Sequence, residues 1–131
     1  MKTLKVTSIS LIIITYLTSC NYYDFDLNSN YPEELINVWV ASYEESPEIF
    51  RPSDYKEFPV SHFRQVYVFK KSNECEYLVS SPVDAHYLDK GFWEYIEEDH
   101  LIKIYNSQQK LIKEFKVKNY SSELLQLKQI R

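Results

Sequence analysis

Leu35-Ile36-Asn37-Val38-Trp39-Val40-Ala41-Ser42-Tyr43 is the stretch whose pattern decides the fold. Read with a period of two, Leu35, Trp39, Ala41 and Tyr43 face one way and the β-branched Ile36, Val38 and Val40 face the other, as in a strand apolar on both sides. Working outward, His62 to Lys71 and Glu74 to Ser81 are further strand-like runs, joined by the turn residues Lys71-Ser72-Asn73-Glu74. Ser81-Pro82-Val83-Asp84 breaks the second of them. Gly91, the only glycine, opens a run from Phe92 to Glu97, which turns through Glu98-Asp99 into His100 to Tyr105. Asn106-Ser107-Gln108-Gln109 makes the next turn, before Lys110 to Lys118. The last run, Glu123 to Ile130, fits a strand through Leu125 and Leu127, and a helix face through Leu124, Leu127 and Ile130.

Seven short runs with tight turns between them predict an all-β domain over residues 34–131, an antiparallel up-and-down meander closing into a small barrel of seven or eight strands. Closure is favoured because it removes unpaired edges, and because sequential strands usually pair with their chain neighbours. The exception to the pattern is Glu44 to Ser61, which carries Pro47, Pro52 and Pro59 and no alternation. It reads as a long loop whose aromatics Phe50, Tyr55 and Phe58 pack down over the barrel, a lid.

Ahead of the domain, Met1 to Lys5 is a short basic region and Val6 to Tyr16 is apolar, too short for the roughly 20 residues a helix needs to cross a bilayer. Leu17-Thr18-Ser19-Cys20 resembles the lipobox of bacterial lipoproteins, in which small residues precede a cysteine that is acylated, with chains such as palmitate, and becomes the mature N-terminus. Residues 1–19 therefore read as a lipoprotein signal peptide and residues 20–33 as the lipidated Cys20 followed by a flexible tether. The twelve or so residues from Asn21 to Pro32 would reach about 40 Å if fully extended. The expected location is the cell envelope, anchored to a membrane, with the outer membrane favoured.

An acylated Cys20 leaves Cys75 without a disulfide partner among the chain's two cysteines. Loss of Lys2 and Lys5 with the signal takes the net charge from −4 to −6, which argues against nucleic acid or an anionic surface as a partner bound by charge.

The motifs resemble those of small lipocalin-like lipoproteins of Bacteroidetes-type envelopes. Leu35-Ile36-Asn37-Val38-Trp39 resembles the leucine-x-glycine-x-tryptophan strand that opens such barrels, with Asn37 where glycine is usual. Gly91-Phe92-Trp93 is similar to a second glycine-x-tryptophan strand. Arg51-Pro52-Ser53-Asp54-Tyr55, Phe63-Arg64 and Asp84-Ala85-His86 resemble recurrent polar segments of one subset. The resemblance implies a barrel over Leu35 to Ile130 with a lid after its first strand, and either a ligand at the open end or an interior filled by its own aromatics.

The histidines, His62, His86 and His100, have no zinc-ligand spacing, and no cysteine pair accompanies them, so neither a metal nor another cofactor is expected. Ser80 and Ser81 lie near Asp84 and His86, yet no strained nucleophile turn exists, so hydrolysis is the minority reading.

The expected function is binding of a small apolar or acidic ligand. Trp39 and Tyr43 would line its floor, Phe63 and Tyr67 its wall, and Arg51, Arg64 and His86 its rim, with Asp84 and Trp93 nearby. Arginine suits a carboxylate because it can hold both oxygens at once. The competing reading ties Arg64 to Asp84 or Arg51 to Asp54 as internal ion pairs. A filled barrel would instead bind a protein partner in the envelope, through exposed aromatics such as Tyr55, Phe58, Tyr87 and Tyr95.

Overall fold

A computed structural model describes residues 25–81 and 86–131. The described chain forms eight strands: β1 (Asn37–Ala41), β2 (Ile49–Pro52), β3 (Val66–Phe69), β4 (Glu74–Ser80), β5 (His86–Ile96), β6 (Leu101–Asn106), β7 (Leu111–Tyr120) and β8 (Leu125–Gln129). They close into an antiparallel barrel in the order β1-β2-β8-β7-β6-β5-β4-β3. From β3 to β8 the chain is the expected up-and-down meander, and Glu123 to Ile130 resolves as a strand.

The first hairpin departs from a simple meander. β2 pairs with β8 and β1 pairs with β3, so β2 and β3 run the same way with β1 between them. Residues 53–65 must therefore travel back along the barrel past β1. The segment expected to be a structureless lid thus contains a barrel strand, β2, and a crossover. The flanking prolines hid the strand: Pro47 lies in the preceding turn and Pro52 ends it, where the missing N–H does least harm.

Alternation explains the core. Each strand buries residues spaced by two: Trp39 and Ala41, Phe50 and Pro52, Tyr67 and Phe69, Cys75 and Tyr77, then Gly91, Trp93 and Tyr95, Ile102 and Ile104, Phe115 and Val117, Leu125 and Leu127. The end of the barrel where β1 starts is plugged by a 3-10 turn, Glu33–Leu35, whose Leu35 is fully buried. Trp39 Nε1 donates to the Leu35 carbonyl at 2.9 Å, and Trp93 Nε1 donates to the Lys70 carbonyl at 2.9 Å. Both indole N–H groups are thereby satisfied inside an apolar core, as burial requires.

The expected flexible tether is, from Phe25 onward, packed on the barrel. The Phe25 ring meets Phe92 and Tyr105 edge-on at 5.5 and 4.9 Å, contacts of a kind worth about 0.5–1.5 kcal/mol each. Asn28 N donates to Glu94 Oε2 at 3.0 Å, and the Asn28 carbonyl accepts from Asn73 Nδ2 at 2.8 Å. Tyr31 stacks on Trp93 at 4.9 Å and its hydroxyl accepts from Ser72 N at 3.1 Å. A stretch without hydrophobic period reads as a linker, yet three rings and one amide strap it down.

Gly91 lies within β5 rather than at its start. β5 pairs with β4 over His86–Phe92 and with β6 over Gly91–Ile96, so the strand changes partners at Gly91. A Cβ there would stand 2.0 Å from the Tyr105 carbonyl oxygen. That contact is with backbone, which cannot rotate away, and overpacking of this kind costs about 3 kcal/mol or more. Gly91→Ala should therefore lower stability by at least that amount in urea unfolding followed by tryptophan fluorescence; a variant as stable as the parent would show that β5 and β6 do not approach this closely.

Candidate functional site

The barrel is filled at its plugged end and open at the other. There Tyr43, Pro47, Glu48, Phe50, Phe63, Gln65, Tyr67, Lys113, Phe115, Leu127 and Gln129 surround a cavity of about 440 Å³. Phe50, Phe63, Phe115 and Leu127 make its wall apolar. Tyr67 packs against Phe50 and Phe115 at 5.6 and 5.5 Å.

Two polar groups distinguish this mouth. Tyr67 is 3% exposed, and its hydroxyl makes no hydrogen bond among the described residues. No sealed side-chain polar atom among those residues lacks a partner, so this hydroxyl opens onto the cavity. Burial pushes its phenol well above the ordinary range, which keeps it a neutral O–H donor. The second group is Lys113. Its cross-strand neighbour is the buried Ile104, and the register between β6 and β7 then skips Ile112, so that Tyr105 faces Leu111. Lys113 thus continues the inward series of Val117 and Phe115 along β7, before the bulge is reached. Lys113 makes no ion pair among the described residues.

The arginines expected at the rim are internal ties: Arg51 holds Glu45 in place of the expected Asp54, and Arg64 holds Glu44, while its expected partner Asp84 lies outside the described residues. Arg51 holds Glu45 bidentately, Nε to Oε2 at 2.9 Å and Nη2 to Oε1 at 2.8 Å, and donates through Nη1 to the Glu123 carbonyl at 2.9 Å. Its guanidinium also lies over the Tyr55 ring at 4.5 Å. Arg64 grips both Glu44 oxygens, and donates to the Ala41 carbonyl at 2.8 Å and the Pro59 carbonyl at 2.7 Å. Both guanidinium groups are thus engaged by protein acceptors, and the crossover is pinned to the β1–β2 turn.

Trp39 and Trp93 are fully buried core residues and do not reach the cavity, while Tyr43, Phe63 and Tyr67 line it together. His86 is exposed at the start of β5, with its ring 5.5 Å from Phe63. Cys20 and Asp84 lie outside the described residues. Of the aromatics named for a protein partner, Tyr95 is 3% exposed in the core, while Tyr55 and Tyr87 are exposed.

Cys75 is buried, and burial pushes its thiol up to about 12, so it is chemically quiet. A serine–lysine pair missed in the sequence, Ser42 and Lys56, stands 2.7 Å apart, but Ser42 is fully buried and donates to Glu45 Oε2 at 2.7 Å. That network braces the β1–β2 turn away from the cavity. Among the described residues no group of three or more His, Cys, Asp or Glu side chains could hold a metal ion. No family model, no curated protein and no solved structure matches the chain.

The two arginine ties carry a pH signature. The Arg64 hydrogen bond, with help from its own backbone, lowers Glu44 from 4.5 to about 2, and Arg51, then Ser42, lower Glu45 likewise. A carboxylate depressed on folding stabilises above its unfolded value and loses that contribution as pH falls through its folded value. The crossover should therefore loosen between pH 4.5 and about 2, seen as faster amide exchange over residues 53–65. Glu44→Gln should show that faster exchange already at neutral pH. Arg64→Ala should cost roughly 1–2 kcal/mol in urea unfolding, from the carbonyls it leaves without their donor.

Proposed function

We propose that the chain is an envelope lipoprotein, exported by its N-terminal signal and held to a membrane through an acylated Cys20, whose barrel takes up a small anionic amphiphile. The apolar part of the guest lies against Phe50, Phe63, Phe115 and Leu127. Its acidic group accepts from the Tyr67 hydroxyl and faces the Lys113 ammonium. The kinship to lipocalin-like lipoproteins rests on the sequence motifs and agrees with the closed eight-stranded barrel.

The observation that carries the reading is the mouth itself: a cavity of about 440 Å³ with an apolar wall and two donors that the described protein does not engage. Donors held beside an apolar wall without acceptors cost free energy that a carboxylate or phosphate oxygen would recover, and each such charged hydrogen bond is worth about 1.5–3 kcal/mol. A neutral apolar guest would leave them unmatched, so the head group decides the class.

Native mass spectrometry of protein taken gently from a host envelope should reveal a small acidic lipid-like adduct lost on denaturation. A fluorescent fatty acid should bind, and its methyl ester should bind at least ~10-fold more weakly. Lys113→Ala and Tyr67→Phe should each weaken binding of the acid by a similar factor while leaving the fold intact. Arg51→Ala should lower stability without changing the intrinsic affinity of the folded protein. A bare mass together with no uptake of the acid would remove this reading in favour of the alternative, a filled barrel that recognises an envelope protein.

A further inference from the structure

The strap alters what a lipid on Cys20 can do. If residues 21–33 were free, the barrel would drift well clear of the headgroups. Instead the chain is fastened at Phe25, so only the span from Cys20 to Phe25 separates the acylated residue from the barrel wall. Five residues reach at most about 18 Å when fully extended. Phe25 seats on Phe92 and Tyr105, on the outer face of β5 and β6.

We propose that this wall lies against the lipid surface, so that the barrel is held on its flank in one orientation. The inference rests on the acylation of Cys20 proposed above. Beyond Phe92 the same outward face of β5 carries Lys90 and then Leu88, which is 47% exposed. β6 pairs with β5 only as far as Gly91, so His86–Lys90 stands beyond the end of that ladder. Leu88 stands four residues along the strand from Phe92, roughly 13 Å at the strand rise, where an apolar side chain is compatible with a headgroup layer.

Charge plays little part in this contact. Lys70, just past β3, pairs at 3.2 Å with Glu76 on the adjoining β4, and Glu74 lies near Lys90 around the same hollow. The wall should therefore sit on zwitterionic lipid as well as on anionic lipid, with little sensitivity to salt. Because β5 continues from Phe92 toward His86 at the open end, this flank position brings the mouth toward the headgroups, where an amphiphile leaves a bilayer.

The test uses the full chain, expressed in a bacterial host that acylates lipoproteins and reconstituted in phosphatidylcholine vesicles. Intact mass first reports whether the mature chain carries acyl groups. Leu88→Cys and Val60→Cys are then spin-labelled separately; Val60 is fully exposed on the crossover outside β1, on the opposite wall from β6. Buried Cys75, its thiol held near 12, does not compete for the label. On reconstitution, a label at position 88 should become several-fold less accessible to a water-soluble paramagnetic reagent, while one at position 60 stays unchanged. A flexible insertion of about ten residues between Asp24 and Phe25 should abolish that protection without affecting acylation.

An acylated chain with equal accessibility at both positions would overturn the orientation and leave the anchoring intact. Protection that survives the insertion would overturn the tether as its cause. A chain without acyl mass would remove the anchoring itself, and the orientation with it.

Discussion

Closure at the β2–β8 seam is the constraint on which the rest of the structure depends. Only Ile49 opposite Gln126 and Phe50 opposite Leu125 form the ladder there, extended by Leu127 N donating to the Glu48 carbonyl at 2.9 Å. So short a ladder is reinforced by side chains. Arg51 reaches the Glu123 carbonyl, and the Glu48 carboxylate accepts from Lys118 at 3.1 Å and Gln126 at 3.2 Å. Because β2 must lie between β1 and β8, the chain after it has to double back past β1. The crossover is then fastened by Arg64 at the Ala41 and Pro59 carbonyls and by Lys56 at Ser42. The arginines are structural because the topology needs them.

Much of the barrel was legible because its strands obey a period of two. Trp39 and Ala41 are on the buried face assigned from alternation, and the runs that became β3 to β8 were each visible between turn residues. What escaped was either short or without period. β2 has four residues and ends in proline, so its alternation of Ile49, Phe50, Arg51 and Pro52 is too brief to outweigh a proline-rich surrounding. The strap escaped because Phe25, Asn28 and Tyr31 follow no period, and their roles come from Phe92, Glu94, Trp93 and Asn73 far along the chain.

The site shows the same division. Tyr43 was assigned to the floor and Phe63 and Tyr67 to the wall of a ligand site, and all three line one cavity, with Tyr43 at its mouth. Lys113 shares the inward parity that alternation gives Phe115 and Val117, but a lysine reads as solvated until the cavity it lines is known. Arg51 and Arg64 looked like rim groups because arginine matches carboxylates. The carboxylates they match are their own neighbours in the fold, Glu45 and Glu44.

An eight-stranded barrel has room for side chains or for one small guest, and this chain fills one end with side chains and leaves a cavity at the other. Trp39, Trp93 and Phe69 fill the end that Leu35 plugs, with Phe69 and Trp93 rings 4.7 Å apart. Tyr67 stacks parallel to Phe69 at 6.1 Å and marks the upper limit of that packing. Above it the inward positions include Gln65, whose amide donates to the Val66 and Leu78 carbonyls, and Lys113, which cannot pack as a core without an acceptor. The neutral Tyr67 phenol and the Lys113 ammonium stand where the packing stops, while Arg51 and Arg64 are already held by the turn that closes the barrel.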